Sequence, residues 1–319
     1  MKKTLAIFAM ASIQASLLCF VIASENQVTA QQVKSGRTQQ PKVILGVLED
    51  LPGEYAGDSD FRAVRAVFEK NSDGWSAFPT SAKSELDLQS LAKSYPNSVT
   101  WTIAFDGKNL GVVTAETPKK YNFYSEIGIE TITSKRPVPT VGKKSTDYAG
   151  FTGDPVYRPL VAISQPNVSD SDHWKPAQLS QDLIASARQQ FRSKFPIVTN
   201  CRNADENIPR SWKYHDEDIH ITKAYASNDN WSLIDLNLTG YACDGPQGDD
   251  SAFVGQWYVK NPAGELRFLG TDMWLVDAGD YDNRGSSEVL FSIDRYNRGG
   301  YRLFYRNFTR SAEFEFSYQ

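Results

Sequence analysis

This sequence predicts a mainly β fold, a propeller-like array of short antiparallel sheets with one or two inserted helices. Three observations carry the prediction. Seven Trp, fifteen Tyr and seventeen Phe stand among 319 residues, and aromatic and β-branched side chains suit the pleated, half-buried surface of a strand. Apolar runs recur with a spacing of roughly 8–12 residues, separated by Gly, Asn, Asp and Pro turns. Finally, two stretches echo one another: "VLEDLPGEYAGDSDFRAVRAVFEKNSDGWSAF" and "LVDAGDYDNRGSSEVLFSIDRYNRGGYRLFY". Each runs from an apolar strand ending in an acid, through an acidic Gly-containing loop, to a strand ending in charge, a turn and an aromatic strand. "TWTIAFDGKNLGVVT" and "GQWYVKNPAGELRFLG" form a second pair. Repeated strand units mark propellers and related arrays. Two β-sandwich-like domains are the alternative.

The elements follow in chain order. Lys2 and Lys3 precede a nearly unbroken apolar stretch, Leu5 to Ala23, the layout of a bacterial export signal. Small residues at Val21-Ile22-Ala23 and Val28-Thr29-Ala30 suit a signal peptidase. An uncleaved anchor is the other reading. Leu18 before Cys19 rules against a lipobox. Residues 1–30 are therefore expected to be a signal peptide or anchor, 31–40 a flexible tether, and 41–319 one β-rich domain with an irregular insertion at about 134–200. The expected location is extracytoplasmic.

From residue 41 strands and turns alternate. "KVILGVLED" and "FRAVRAVFEK" are strands, "NSDG" a turn and "WSAFP" the return strand. Ser84 is placed to cap a helix, with Leu88, Leu91, Ala92 and Tyr95 on one face and Pro96 as the stop. "VTWTIAFDGKNLGVVTAE" is a hairpin turning at Asp106-Gly107, and "RPLVAIS" is a strand within a long irregular connection. A second helix starts at Ser180, carries Leu183, Ala187, Phe191 and Phe195 on one stripe, and stops at Pro196. "DIHITKAYAS", "WSLIDLNLTGY", "FVGQWYVKNPAGELRFL", "DMWLVDAG", "SEVLFSIDRYNRGGYRLFY" and "EFEFSY" complete the strands.

A net charge of −4 and a pI near 5.5 give no electrostatic reason to expect nucleic acid as a partner. After export two cysteines remain, Cys201 and Cys243, and in an oxidising compartment they are expected to form a disulfide. It would close a loop of about forty residues, a constraint of roughly 3–4 kcal/mol. Two buried free thiols are the alternative.

"DYDNRGSSEVLFSI" is the sharpest motif. Alternating acids on a tight loop aim several carboxylates at one centre, the arrangement a hard cation such as Ca²⁺ needs. It is not an EF-hand, because Phe291 stands at the twelfth position, where a bidentate Glu is required. The stretch resembles the FG-GAP (VCBS-like) repeats of integrin-type propellers, whose loops read D-x-[DN]-x-D-G-x-x-[DE] before an apolar strand. Asp280, Asp282, Gly285 and Glu288 fall on the matching positions, and "VLFSI" supplies the strand. The resemblance implies that Asp280, Asp282 and Glu288, with the carbonyl of Ser286, hold Ca²⁺ in a loop between two blade strands. Arg284 stands where the family has Asp or Asn. That removes a ligand and places a guanidinium that can pair with the acids in place of a metal. A metal-free loop whose carboxylates accept backbone N–H bonds is the competing reading. In the N-terminal echo Asp58 and Asp60 lack the Gly and read as a solvated loop.

The remaining motifs are weaker. His215 and His220 in "YHDEDIH" are spaced for neither one helical face nor one strand face, so an acidic turn is expected there. No G-x-S-x-G, P-loop or G-x-G-x-x-G occurs. The leading expectation is a non-catalytic binding or structural module of the cell envelope with a protein or glycan ligand. An extracytoplasmic glycan-acting hydrolase, using a carboxylate pair that only three dimensions can reveal, is the second.

Overall fold

The structure, a computed structural model, describes residues 42–51, 61–82, 84–148, 155–200, 210–238, 242–243 and 253–318. The signal and tether, Asp58, Asp60 and Cys201 lie outside these residues, and the expected Cys201–Cys243 bridge with them.

The chain is mainly β, and its sheets are antiparallel. β1 (Ile44–Leu51), β2 (Phe61–Lys70) and β3 (Trp75–Ala77) come first, then helix α1 (Glu85–Leu91). β4 (Ser98–Phe105), β5 (Lys108–Glu116), β6 (Ile129–Ile132) and β7 (Leu160–Ile163) complete the first sheet. Its order is β1-β7-β4-β5-β6-β2-β3, and β1 also pairs with β2. Six strands therefore close into a barrel-like ring, with β3 attached outside the closure. Strand spacing alone could not announce this closure. It depends on β1 having two partners, the next strand β2 and the distant β7, where Leu45 pairs with Ile163.

β8 (Lys175–Pro176) and helix α2 (Gln181–Lys194) follow, then β9 (Val198–Asn200) and β10 (Arg210–Trp212). β11 (Ile219–Ala226), β12 (Ser232–Leu238), β13 (Ala242–Cys243), β14 (Gln256–Lys260) and β15 (Leu266–Gly270) come next. β15-β14-β12-β11-β8 form a five-stranded sheet, and β10-β9-β13 a small one that pairs Cys243 with Thr199. β16 (Met273–Gly279), β17 (Glu288–Arg295), β18 (Arg298–Tyr305) and β19 (Arg310–Ser317) make a four-stranded meander.

Caps and turns act where the residues ask for them. The Ser84 hydroxyl accepts from the Asp87 N–H, and that of Ser180 from the Leu183 N–H, each satisfying a donor that the first helical turn leaves open. Asp106 and Gly107 both adopt positive φ (52° and 66°), as a two-residue hairpin turn matched to strand twist requires. Among the described residues no helix is long and apolar enough to cross a membrane.

The meander is buried on both faces. Alternate residues of a strand point to opposite sides. Leu290 and Leu303 therefore join the core of the first sheet, while Val289, Phe291 and Phe304 join a second core with Trp257 and Leu233 of the five-stranded sheet. That sheet turns Ile234, Leu236 and Tyr258 the other way, onto Ala187 and Phe191 of α2. Double-sided burial is why "VLFSI" reads as an unbroken apolar run. Each such side chain removed from water contributes roughly 1.5–3 kcal/mol.

Candidate functional site: an acidic loop with a lysine

The site lies in the loop from Gly279 to Glu288, between β16 and β17. Asn283 and Gly285 take positive φ (54° and 81°), which folds the loop back on its first acid. Asp280 Oδ1 accepts from the Arg284 N–H (2.8 Å) and Oδ2 from the Gly285 N–H (2.7 Å). Its own N–H donates to the Ser169 carbonyl, and the Ser171 hydroxyl donates to Oδ2 (3.0 Å).

Glu288 opens β17 and points into the interior. Its Oε2 accepts from the Tyr281 N–H (2.8 Å) and its Oε1 from the Trp75 indole N–H (3.1 Å), 213 residues away in sequence. Burial, then the neighbouring Asp282 charge, pushes the Glu288 carboxyl up to about 8 against these bonds and Lys70.

Asp282 is the member without backbone support. Its side chain is only 4% exposed, and among the described residues Oδ1 has no hydrogen-bond partner. Its Oδ2 pairs with the ammonium of Lys70, the last residue of β2. Lys70 is 10% exposed at the side chain and lies over the rings of Trp75 (5.2 Å) and Tyr305 (5.9 Å). Arg284 is 61% exposed, with Nε 3.6 Å from the same Oδ2. It lies at the rim while Lys70 holds the interior.

Three of the four expected ligand residues thus converge. Asp280, Asp282 and Glu288 place one carboxylate oxygen each within 4.8 Å of one another. Ser286, expected to add its carbonyl, directs its hydroxyl to Asn307 Oδ1 (3.4 Å). Calcium takes six to eight oxygen ligands. Here each oxygen of Asp280 and Glu288 already accepts a hydrogen bond, and an ammonium sits on Asp282. With Lys70 in place the residues do not fit a divalent ion, because two cations would have to share one set of carboxylates.

A second acidic segment, 169–173, packs against the loop. Asp170 accepts from the Ser287 hydroxyl (2.7 Å) and the Trp174 N–H (2.6 Å), and Asp172 accepts from the Ser287 N–H (3.1 Å). Burial raises Asp172 above its ordinary value against the Ser287 bond, with Asp170 adding to the rise. By its sequence this segment belongs to an irregular connection. Its one signal is the D-x-D doublet in "SDSDHW". Lys70 and Trp75 carry no signal, because a strand-end lysine and a core tryptophan are ordinary.

Elsewhere, His215 caps a short turn over Asp216–Asp218 and His220 lies on β11. Among the described residues neither belongs to a group of three metal-ligating side chains. An open groove of about 360 Å³ is lined by Leu86, Gln89, Ser90, Lys93, Lys119 and Lys120, with no carboxylate to act as acid or base. Fold and loop together define a class, a stacked antiparallel β protein with a cation-held acidic loop. Compared with known proteins, the chain matches no family model, no curated protein and no solved structure.

Proposed function

We propose that the chain is an exported, non-catalytic binding and structural module of the cell envelope, with β16–β19 as an FG-GAP-like, blade-type unit whose acidic loop is held by a cation. One observation carries the reading. The acids of the loop are buried between sheets, Asp280 and Glu288 each at 5% exposure or less, and tied to backbone and indole N–H groups. A general acid or nucleophile must touch its substrate, whereas a joint between sheets must exclude solvent.

The basic, apolar N-terminus supports export. The strand, acidic loop, strand, turn, aromatic strand order of β16–β18 supports the FG-GAP-like unit. Exposed Tyr296 and Phe123 offer aromatic surface to a protein or glycan ligand.

The test is to express the full chain in a bacterial host, fractionate the cells, and incubate the recovered protein with glycan arrays and cell-wall polysaccharide. Recovery from the periplasm or cell surface, with retention of a ligand and no release of sugar, is expected. Recovery from the cytoplasm with the N-terminus intact sinks the export reading. Sugar release abolished by Glu288→Gln would establish the hydrolase instead.

A further inference from the structure

We infer that Lys70 takes the position a calcium ion would occupy, so that the 280–288 loop is held by a lysine from the opposite end of the chain and is indifferent to calcium while that lysine is present. The inference deepens the cation-held loop of the reading above and rests on it. It does not depend on export or on any ligand.

The argument starts from charge and space. Asp280, Asp282 and Glu288 bring three carboxyl groups to one centre. Buried carboxylates without a counter-charge are strongly disfavoured. Asp280 and Glu288 are satisfied within the loop and by Trp75, but among the described residues Asp282 accepts from no backbone or indole N–H. Among the described residues its Oδ1 accepts no hydrogen bond, so the counter-charge of this nearly solvent-free carboxylate must come through Oδ2. The Lys70 ammonium reaches the sister oxygen, and the faces of Trp75 and Tyr305 wall it in. Ring faces favour a cation, so the pocket is built on both sides for a positive charge.

The lysine also does what an ion bound within one loop cannot. It comes from β2, so its pair with Asp282 joins the first sheet to the meander. Gly74, after the turn that follows Lys70, has φ +147°, and a Cβ there would lie 2.8 Å from the Tyr305 ring. Arg306 donates to the Asp73 carbonyl beside it (3.2 Å). The turn is thus pressed onto β18, which fixes where Lys70 begins. A lysine is a compact point charge on a flexible stem, and one such charge replaces one ion.

If the ammonium fills a cation position, removing it should expose that position to a divalent ion. The experiment compares the full chain with Lys70→Met, which keeps the stem, and Lys70→Arg, which keeps the charge. Each is melted after chelation and again in millimolar CaCl₂, and each is titrated with Tb³⁺ while its emission is sensitised through tryptophan. Trp75, bonded to Glu288, is the antenna.

The unaltered chain and Lys70→Arg should show no calcium-dependent shift in melting temperature and no sensitised emission. Lys70→Met should melt lower by several degrees, recover at least half of that loss in calcium, and gain Tb³⁺ emission that calcium competes away. A calcium-dependent rise in the melting temperature of the unaltered chain would overturn the inference while preserving a cation-held loop. A Lys70→Met chain that melts like the unaltered one would overturn both. A Lys70→Met chain that folds only with calcium supports the inference. One that fails to fold in either condition, while Lys70→Arg folds, overturns the claim that calcium and lysine share a position.

Discussion

Arg65 and Lys70 stand five residues apart on β2, and both reach acids that bind the start of the chain to its end, yet their surroundings differ in kind. Arg65 is forked on Glu49, Nε to Oε1 at 2.7 Å and Nη2 to Oε2 at 3.0 Å, and its Nη1 donates to the carbonyls of Ser125 and Ile127. Tyr301 of the meander donates to Glu49 Oε1 (2.6 Å), and the guanidinium lies over the Phe316 ring (4.1 Å). One cation meets one anion, and both carboxylate oxygens are satisfied. Around Lys70 one ammonium pairs with Asp282 of a three-acid cluster, and the other oxygen of Asp282 accepts no hydrogen bond among the described residues. The planar fork of arginine suits a closed, balanced network, while the point charge of lysine suits a concave cluster. The difference teaches that the first network is a structural pin, and that the second has the form of an ion site whose ion is a side chain.

The largest expected effect comes from breaking the balanced network. Arg65→Met leaves Glu49 buried and uncompensated and should cost about 3–5 kcal/mol in urea unfolding. Adding Glu49→Gln should recover much of that loss, because the stranded charge goes with it. If the double variant is as unstable as the sum of the two single ones, the pair is not coupled and the comparison fails.

The next effect is a pH dependence set by excess acid. Burial raises Glu288 from 4.5 to about 8, and burial raises Glu130, which accepts from the Trp101 and Thr117 side chains, to about 8 as well. A raised carboxyl binds its proton more tightly in the folded than in the unfolded chain. Its contribution to stability is therefore full below about 4.5, falls as pH rises through the window, and levels off above about 8. Stability measured by urea titration should decline across that range. Glu130→Gln and Glu288→Gln should each flatten the decline, and an unchanged slope in both would show that other groups set it.

The smallest effect is expected at Arg284. Its side chain is 61% exposed and 3.6 Å from Asp282, so Arg284→Ala should change stability by less than about 0.5 kcal/mol. A larger loss would mean that the rim arginine, and not Lys70, neutralises the loop.

Much of the molecule is legible in its residues alone. Ser84 and Ser180 declare their helices because an N-cap acts on N–H groups two or three residues away. Asp106-Gly107 declares a hairpin because positive φ favours those residues. Asp280, Asp282 and Glu288 are found together because loop geometry is local. Arg284 looks like the neutralising cation because it lies in the same stretch, and sequence has no means of proposing a partner 212 positions away. The closed six-strand sheet is out of reach for the same reason, since its closure rests on β1 pairing with both β2 and β7.

The sequence by itself determined the longer strands, the helix caps and hairpin turns, and an acidic loop entering an apolar strand, since each depends on residues within a few positions of one another; the two- and three-residue strands β8, β9, β10 and β13 carry no such signal. Only the tertiary structure decided that β16–β19 is buried on both faces, that "SDSD" backs the loop, and that Lys70 pairs with Asp282. Those outcomes depend on which sheets pack together, and burial makes an unpaired charge costly enough to require a cation at that position.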